Sequence, residues 1–522
     1  MKRLYKAVLI VTVFTLIDRV LGFGFKIYLS RELGAVSVGI YQVALSMFFV
    51  LLTFTTSGTP LVVSKMTALF RKKGDTQSEF STVAAALVVG LLFSCGLSAV
   101  FFIFREPLGN IFAARESMNL LLLLLPGVMF SGVYAAFRGN MWGRERYVAV
   151  SVIELIEQTV RIFVCVLLIM LGFNKLRMTA VSMSVACGVT AIACMICYFK
   201  AKGKLKSPKG HLKPLIKQAL PVTMIRASNT LVASLIGITI PFLLQGSGHS
   251  LAGALAVYGT AVGMALPLLY LPVTAVGSLA YVMIPSLSSA YHTGDKKSVK
   301  SQIESAIIFS LIMASLFMPM LLALGEPIGV FIYGNADAGR FLAFSAWLLI
   351  PIAAENIISS MMNSLGLEKR GFINYIIGAA LMFAIMFAFW GRFRIEILSI
   401  TLGIAWTFST ILDIIAIKKR TGIRLSFIKP LIKCICLIVP STFLTSWLYT
   451  LTNGLPAVVR LLIASCVGTL FFALTASVFG VINLAVIFRK KSKKYGNRLL
   501  NNGMQQGGVK RAKRFKNKKT VV

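Results

Sequence analysis

Acidic side chains are what this sequence has least of: 17 Asp and Glu stand against 54 Lys and Arg in 522 residues, and only 14% of positions carry a charge. A soluble domain of this length needs about a quarter of its residues charged to cover its surface. Here 57% are hydrophobic and the mean hydropathy is +0.83, so lipid has to cover what water cannot. Histidine is almost missing. His211, His249 and His292 are isolated, none accompanies a cysteine, and a zinc site or a thiol–imidazole pair is excluded on that ground. The eight cysteines lie in or beside apolar segments, and Cys194 with Cys197, a C-x-x-C spacing inside a predicted helix, reads as small-residue packing.

Two further absences bear on chemistry. No G-x-x-x-x-G-K-[ST] loop is present, so nucleotide hydrolysis of that kind is excluded and any driving force is borrowed. No G-x-S-x-G or H-E-x-x-H occurs, and no polar stretch is long enough for a separate catalytic domain. The expectation is a protein that is not an enzyme and holds no cofactor, with a coupling ion of unknown identity left open.

What is present is a succession of apolar runs of roughly 20 residues from Leu4 to Phe488, the length that crosses a ~30 Å hydrocarbon slab. They begin near Leu4, Val38, Val83, Leu120, Val148, Thr179, Leu215, Leu251, Ile303, Phe341, Phe372, Ile395, Ile428 and Pro456. The expected fold is all-α and integral to the membrane, with about fourteen transmembrane helices. Met1 to Leu21 has the basic start and apolar middle of a signal peptide but no small-x-small cleavage site, and reads as the first span.

The formal charge of +37 falls on alternate loops, which places both termini in the cytoplasm of a multi-pass chain. The densest basic clusters are Lys200 to Lys217, Lys418 to Lys433 and Arg489 to Lys519. The last lacks acids, reads as disordered, and predicts attraction to anionic headgroups at about 1 kcal/mol per basic residue rather than nucleic-acid binding.

An internal repeat organises the chain. Gly74-Asp75 matches Gly294-Asp295, and Glu106-Pro107-Leu108-Gly109 matches Glu326-Pro327-Ile328-Gly329, both 220 residues on. Pro126 pairs with Pro351, and Asn140-x-x-Gly143-x-Glu145-Arg146 with Asn363-x-x-Gly366-x-Glu368-Lys369. Six spans per copy is an even number, so both copies start on one side and are parallel repeats with a cavity expected at their interface. The boundaries expected are a six-helix lobe over 1–199, a basic linker 200–215, a second six-helix lobe 216–420, two additional helices within 428–488, and the tail 489–522.

Ionisable residues inside spans cost at least ~2.5 kcal/mol each and mark sites. Asp18 and Arg19 are adjacent, and Arg19, Gly22 and Lys26 share one helical face. Glu154, Glu157, Gln158 and Arg161 are spaced i, i+3, i+4 and i+7 on another, where Glu157 and Arg161 can pair. Either they form a structural ion pair or they line a working cavity. Arg226, followed by Ser228 and Asn229, has no acid nearby in sequence and predicts an anionic ligand, with snorkelling to the interface as the alternative. Glu355, Asp413 and Arg460 are weaker candidates, and Lys65 and Arg138 read as close enough to helix ends to reach water. The excess of bases over acids suits a phosphate or pyrophosphate headgroup.

The stretches Asp18-Arg19-Val20-Leu21-Gly22-Phe23, Ser30-Arg31-Glu32-Leu33-Gly34, Gly39-Ile40-Tyr41-Gln42 and Ser57-Gly58-Thr59-Pro60 with Ser64-Lys65, together with Glu157-Gln158-x-x-Arg161, resemble the stage V sporulation protein B type of the multidrug/oligosaccharidyl-lipid/polysaccharide (MOP) exporter superfamily, related to the MurJ-type lipid II flippases. The resemblance implies a polysaccharide-type flippase with a central cationic cavity, a groove along the last two helices for a lipid tail, and alternating access. It places Arg19 at the family's first-span arginine and Lys26 at a basic position of the sporulation branch. Asp18 stands where that family has a small polar residue.

The expected function is flipping of a polyprenyl-pyrophosphate sugar, a lipid-linked oligosaccharide or peptidoglycan precursor, for cell-wall, spore-cortex or polysaccharide synthesis. The partners implied are that substrate, membrane lipids and cell-wall synthesis proteins, with the chain a monomer. A cation-coupled multidrug exporter of the same fold is the alternative. A membrane-embedded glycan polymerase using Glu106, Glu326 or Asp337 is a lower one.

Overall fold

In the computed structural model, which describes residues 2–423 and 425–481, the described chain is helical and contains no strand. The first copy comprises α1 (Lys2–Thr56), α2 (Thr59–Lys72), α3 (Thr76–Ile103), α4 (Arg105–Gly109), α5 (Arg115–Gly143), α6 (Tyr147–Met170) and α7 (Lys175–Lys200). The second comprises α8 (Leu212–Gly246), α9 (Leu251–Tyr258), a π-helical turn Gly259–Ala265, α10 (Leu266–Leu269), α11 (Val273–His292), α12 (Lys296–Tyr333), α13 (Ala336–Ser345), α14 (Leu349–Ser364), α15 (Glu368–Phe393) and α16 (Glu396–Thr421). After them come α17 (Ile428–Leu451) and α18 (Ala457–Val478), both packed on α12. The expected tail 489–522 lies outside the described residues, as does the end of the 428–488 segment.

Among the described residues, twelve helices are long and apolar enough to cross a membrane. One of them, Val13–Lys72, has 60 residues, well over the ~20 that a crossing needs. It contains a non-helical residue, Gly34, with φ 71° and ψ 169°, a backbone that a Cβ disfavours. Helix α6 is outside the twelve because any 18-residue window of it holds Glu154, Glu157 and Arg161 together. A count of fourteen therefore depends on reading two crossings into the first run and one into α6. Side chains such as Leu92, Phe443 and Val478 are 70%, 73% and 83% exposed on the outside of the bundle, where apolar lipid takes the place of a protein neighbour.

The duplication is geometric as well as sequential. Gly74 and Gly294 turn the chain with φ 74° and 75°, and Asp75 and Asp295 then cap α3 and α12, each accepting from the backbone N–H three residues on, of Ser78 and Ser298, at 2.9 Å. Arg115–Gly143 and Ala336–Ser364 both span 29 residues and lie 221 apart at start and end; α7 and α16 span 26 residues with the same separation. That register corrects two of the sequence pairings. Pro126 aligns with Trp347, one helical turn before Pro351, and Asn140 aligns with Met361. The left-handed residue closing the helix is Glu145 (φ 59°) in one copy and Gly366 (φ 71°) in the other, again 221 apart. The Glu-Pro match also differs in context: Glu106-Pro107 opens α4, whereas Glu326-Pro327 lies inside the continuous α12.

Near the start of α3, Glu79 is buried and paired with Arg144 at 2.6 Å, and it also accepts from Asn140 Nδ2 at 3.0 Å. Arg144 reaches on to the Ala201 carbonyl at 3.0 Å, tying α3, α5 and α7 at one end of the first bundle.

Candidate site at the crossing of the first and sixth helices

The polar stripe on α6 fans out over three neighbouring helices because residues at i, i+3, i+4 and i+7 drift around the cylinder. Glu154 turns to α5, where it pairs with Arg138 and accepts from Tyr134 Oη at 3.2 Å. Arg138 thus finds a carboxylate as well as the ring faces of Trp142 and Tyr134, 4.4 and 5.3 Å from its guanidinium carbon. Its side chain stays 28% exposed while it holds this pair. Glu157 turns to α7 and accepts from Thr190 Oγ1 at 3.2 Å, so the Glu157–Arg161 pairing that the spacing allowed is not made. These two carboxylates line a cavity of about 180 Å³ with Tyr134, Arg138, Cys187 and Thr190.

Arg161 turns instead toward α1. Its Nη1 approaches the Met183 sulfur at 3.3 Å, its Nη2 donates to the Gln158 carbonyl oxygen, and its guanidinium carbon lies 5.6 Å over the Phe25 ring. Nε is buried with no hydrogen-bond partner, as is Nε2 of Gln158. Gln158 Nε2 is also what a Cβ on Gly22 would meet, at 3.3 Å, so the small gap on α1 between Arg19 and Lys26 is where α6 packs. The field of Arg161 reaches Asp18, Lys26 and Glu157, yet among the described residues Arg161 enters no ion pair. Arg19 is exposed, Lys26 is exposed at its surface though set among many protein atoms, and Asp18 is half-buried within the fields of Arg161 and Arg19.

Of the residues singled out from sequence, Asp18, Arg19, Lys26 and Arg161 are thus brought together at the crossing of α1 with α6, while Glu154 and Glu157 face the neighbouring cavity. Arg226 meets the first copy elsewhere, at the break between α1 and α2, where Nη1 donates to the Ser57 carbonyl at 3.4 Å. The chain breaks there because Pro60, in the first turn of α2, has no N–H to continue the ladder. Asn229 is exposed one turn further along α8.

A second polar cluster was only partly legible. Asp413 on α16 accepts from Asn374 Nδ2 on α15 at 2.6 Å, and Glu355 on α14 accepts from Thr410 at 3.1 Å and lies within the field of Asp413. Neither enters an ion pair among the described residues, and Asn374 Oδ1 is buried without a partner. Asn374 was missed because one amide in an apolar helix is a weak signal until its neighbours are known. No group of three or more His, Cys, Asp or Glu that could hold a metal ion occurs among the described residues. Asp337 is paired with Arg340 at 2.5 Å at the other end of the bundle.

A family model described as polysaccharide biosynthesis protein matches residues 4–291. Stage V sporulation protein B of Bacillus subtilis (strain 168) is 23% identical over 414 residues, covering 76% of this chain and 80% of that protein. The lipid II flippase MurJ of the same organism is 20% identical over 470 residues, covering 80% and 83%. Among solved structures, lipid II flippase MurJ in an inward closed conformation superposes with a TM-score of 0.71 at 14% identity, over 90% of this chain and 98% of that one. An inward-facing multidrug resistance MATE family transporter of the MOP superfamily gives 0.64 at 13%, over 79% and 97%. These likenesses establish the MOP fold.

Proposed function

This chain belongs to the polysaccharide biosynthesis protein family, and we propose that it is a flippase, moving a lipid-linked sugar with a phosphate or pyrophosphate headgroup from the cytoplasmic to the outer leaflet by alternating access. The relatives whose names state an activity are a flippase and transporters rather than catalysts.

The observation that carries the reading is Arg161. An arginine within an apolar helix is expensive unless something neutralises it, and its nearest donors' partners are an amide oxygen and a thioether. With Lys26 and Arg19 accessible beside it, the crossing of α1 and α6 offers cations in excess of acids, the arrangement that a phosphoryl group satisfies by charge-assisted hydrogen bonds. Arg226 of the other copy lies apart from this crossing, at the break between α1 and α2, and is exposed there.

The driving force is external to the chain. An anionic headgroup leaving a negative interior gains about 2.3 kcal/mol per charge per 100 mV. We assign any ion coupling to Glu355 and Asp413, since an intramembrane carboxylate without a basic partner calls for a proton or a small cation, and Asn374 Oδ1 is an unused ligand beside them.

Purified protein in liposomes is expected to translocate a fluorescent polyprenyl-pyrophosphate sugar, with Arg161→Ala and Lys26→Ala each slowing it about tenfold. Failure of the wild-type chain to move that lipid overturns the reading. Drug resistance conferred on a pump-deficient host would instead favour the exporter of the same fold.

A further inference from the structure

At the end of the bundle remote from the basic loops, one side chain ties the first copy to the second. Arg31 on α1 donates Nε to the Ile332 carbonyl at 2.8 Å and Nη2 to the Phe331 carbonyl. Both belong to the last turn of α12, which stops at Gly334 in the left-handed conformation. The N–H groups of Gly334 and Asn335 close back on Val330 and Gly329 at 2.9 and 3.3 Å, and of the end carbonyls this leaves over Arg31 takes those of Phe331 and Ile332. A guanidinium there also meets the negative end of the helix dipole.

The rest of this seam is smooth. A Cβ on Gly39 would lie 2.0 Å from the Leu255 carbonyl oxygen, and one on Gly259 would lie 2.2 Å from that of Ala35, so α1 and α9 touch backbone to backbone just where the π-helical turn begins. Val38, Met264, Tyr333 and Ala338 fill the space alongside with a small apolar cluster. Contacts of this kind keep water out without locking side chains into one another, so among the described residues the oriented polar grip in the seam is that of Arg31. The residue itself is exposed, so water can receive its donors on release. Gly34 breaks α1 three residues further on and supplies a hinge.

We propose that Arg31 is a releasable latch: its grip on the Phe331 and Ile332 carbonyls holds this end of the bundle shut, and its withdrawal lets the seam between α1 and α9 part into the outward-open state. The proposal rests on the flippase reading for its purpose, since alternating access requires such an end to open, and the basic loops make it the external one.

The test is labelling of Val38→Cys, a position 6% exposed in the closed seam, by a membrane-impermeant maleimide applied outside intact cells and quantified on the peptide that carries it. In the parent, labelling is expected to be slow. Arg31→Ala should accelerate it about tenfold, and Arg31→Lys, which keeps the charge but not the two-pronged fork, should fall between. Gly39→Ala forces the same seam apart with Arg31 intact and should also accelerate labelling, which guards against a variant that merely fails to fold. Equal rates in the parent and both Arg31 variants overturn the latch. Because the readout needs no substrate, labelling that follows Arg31 in a chain that flips no glycolipid removes the transport reading and keeps the latch. Flipping with unmoved labelling removes the latch alone.

Discussion

Asn374 donates its amide to Asp413 across 2.6 Å between α15 and α16, and its own carbonyl oxygen is left buried with nothing to bond. A buried amide ordinarily satisfies both ends. With Glu355 and Thr410 alongside, the arrangement has the oxygens of a small cation site or of a proton acceptor. Asp413→Asn and Glu355→Gln preserve shape and hydrogen bonding while removing charge. Each is expected to abolish the dependence of lipid translocation on an imposed proton or sodium gradient while leaving headgroup binding within twofold. Vesicle flipping with and without the gradient reads this, and wild-type gradient dependence in both variants would refute it.

The cations at the α1–α6 crossing are expected to act on the headgroup rather than on the fold. Arg161→Ala and Lys26→Ala should each weaken binding of a soluble pyrophosphate competitor about tenfold, the cost of one charge-assisted hydrogen bond, and the weakening should shrink as salt rises. Titration calorimetry in detergent measures it, and an affinity independent of both residues would move the site elsewhere.

The Arg144–Glu79 pair makes the opposite prediction, on stability. Its side chains are 9% and 2% exposed, and removing one partner strands a buried charge, which costs about 3–5 kcal/mol. Glu79→Gln should therefore lower the unfolding temperature sharply, while Glu79→Gln with Arg144→Met should recover part of the loss. A thermal melt of the detergent-solubilised protein compares them.

Gly403 is a packing test in the second copy. A Cβ there would lie 1.9 Å from the Trp347 ring, so the half-buried indole has to shift to admit it. Gly403→Ala is expected to destabilise by about 1–3 kcal/mol through overpacking, seen as a lowered melt. An unchanged melt would mean that Trp347 has another place to go.

Much of the architecture was legible because its causes are local or repeated. Apolar length marks a helix in lipid whatever surrounds it, and the Gly-Asp turns at Gly74-Asp75 and Gly294-Asp295 announced the duplication through backbone geometry that small sequence words encode. Where the words were single residues, as with Pro126 and Asn140, the same search slipped by one turn or less, since nothing in a lone proline fixes register. The candidate site was half legible. Helical spacing put Glu157 and Arg161 on one face, but could not say that Thr190 on α7 would claim one and that Gln158, Met183 and Phe25 would surround the other.

Composition and periodicity by themselves determined that this chain is a helical membrane protein, built twice over, with its bases biased to one side, because each follows from the free energy of a residue type in lipid or water. Tertiary structure alone decided which charges pair with one another and which do not. Arg138 and Arg161 are chemically identical; only the packing of α5 against α6, and of α6 against α1, gives one of them an ion pair and leaves the other within the fields of Asp18 and Glu157 without one among the described residues.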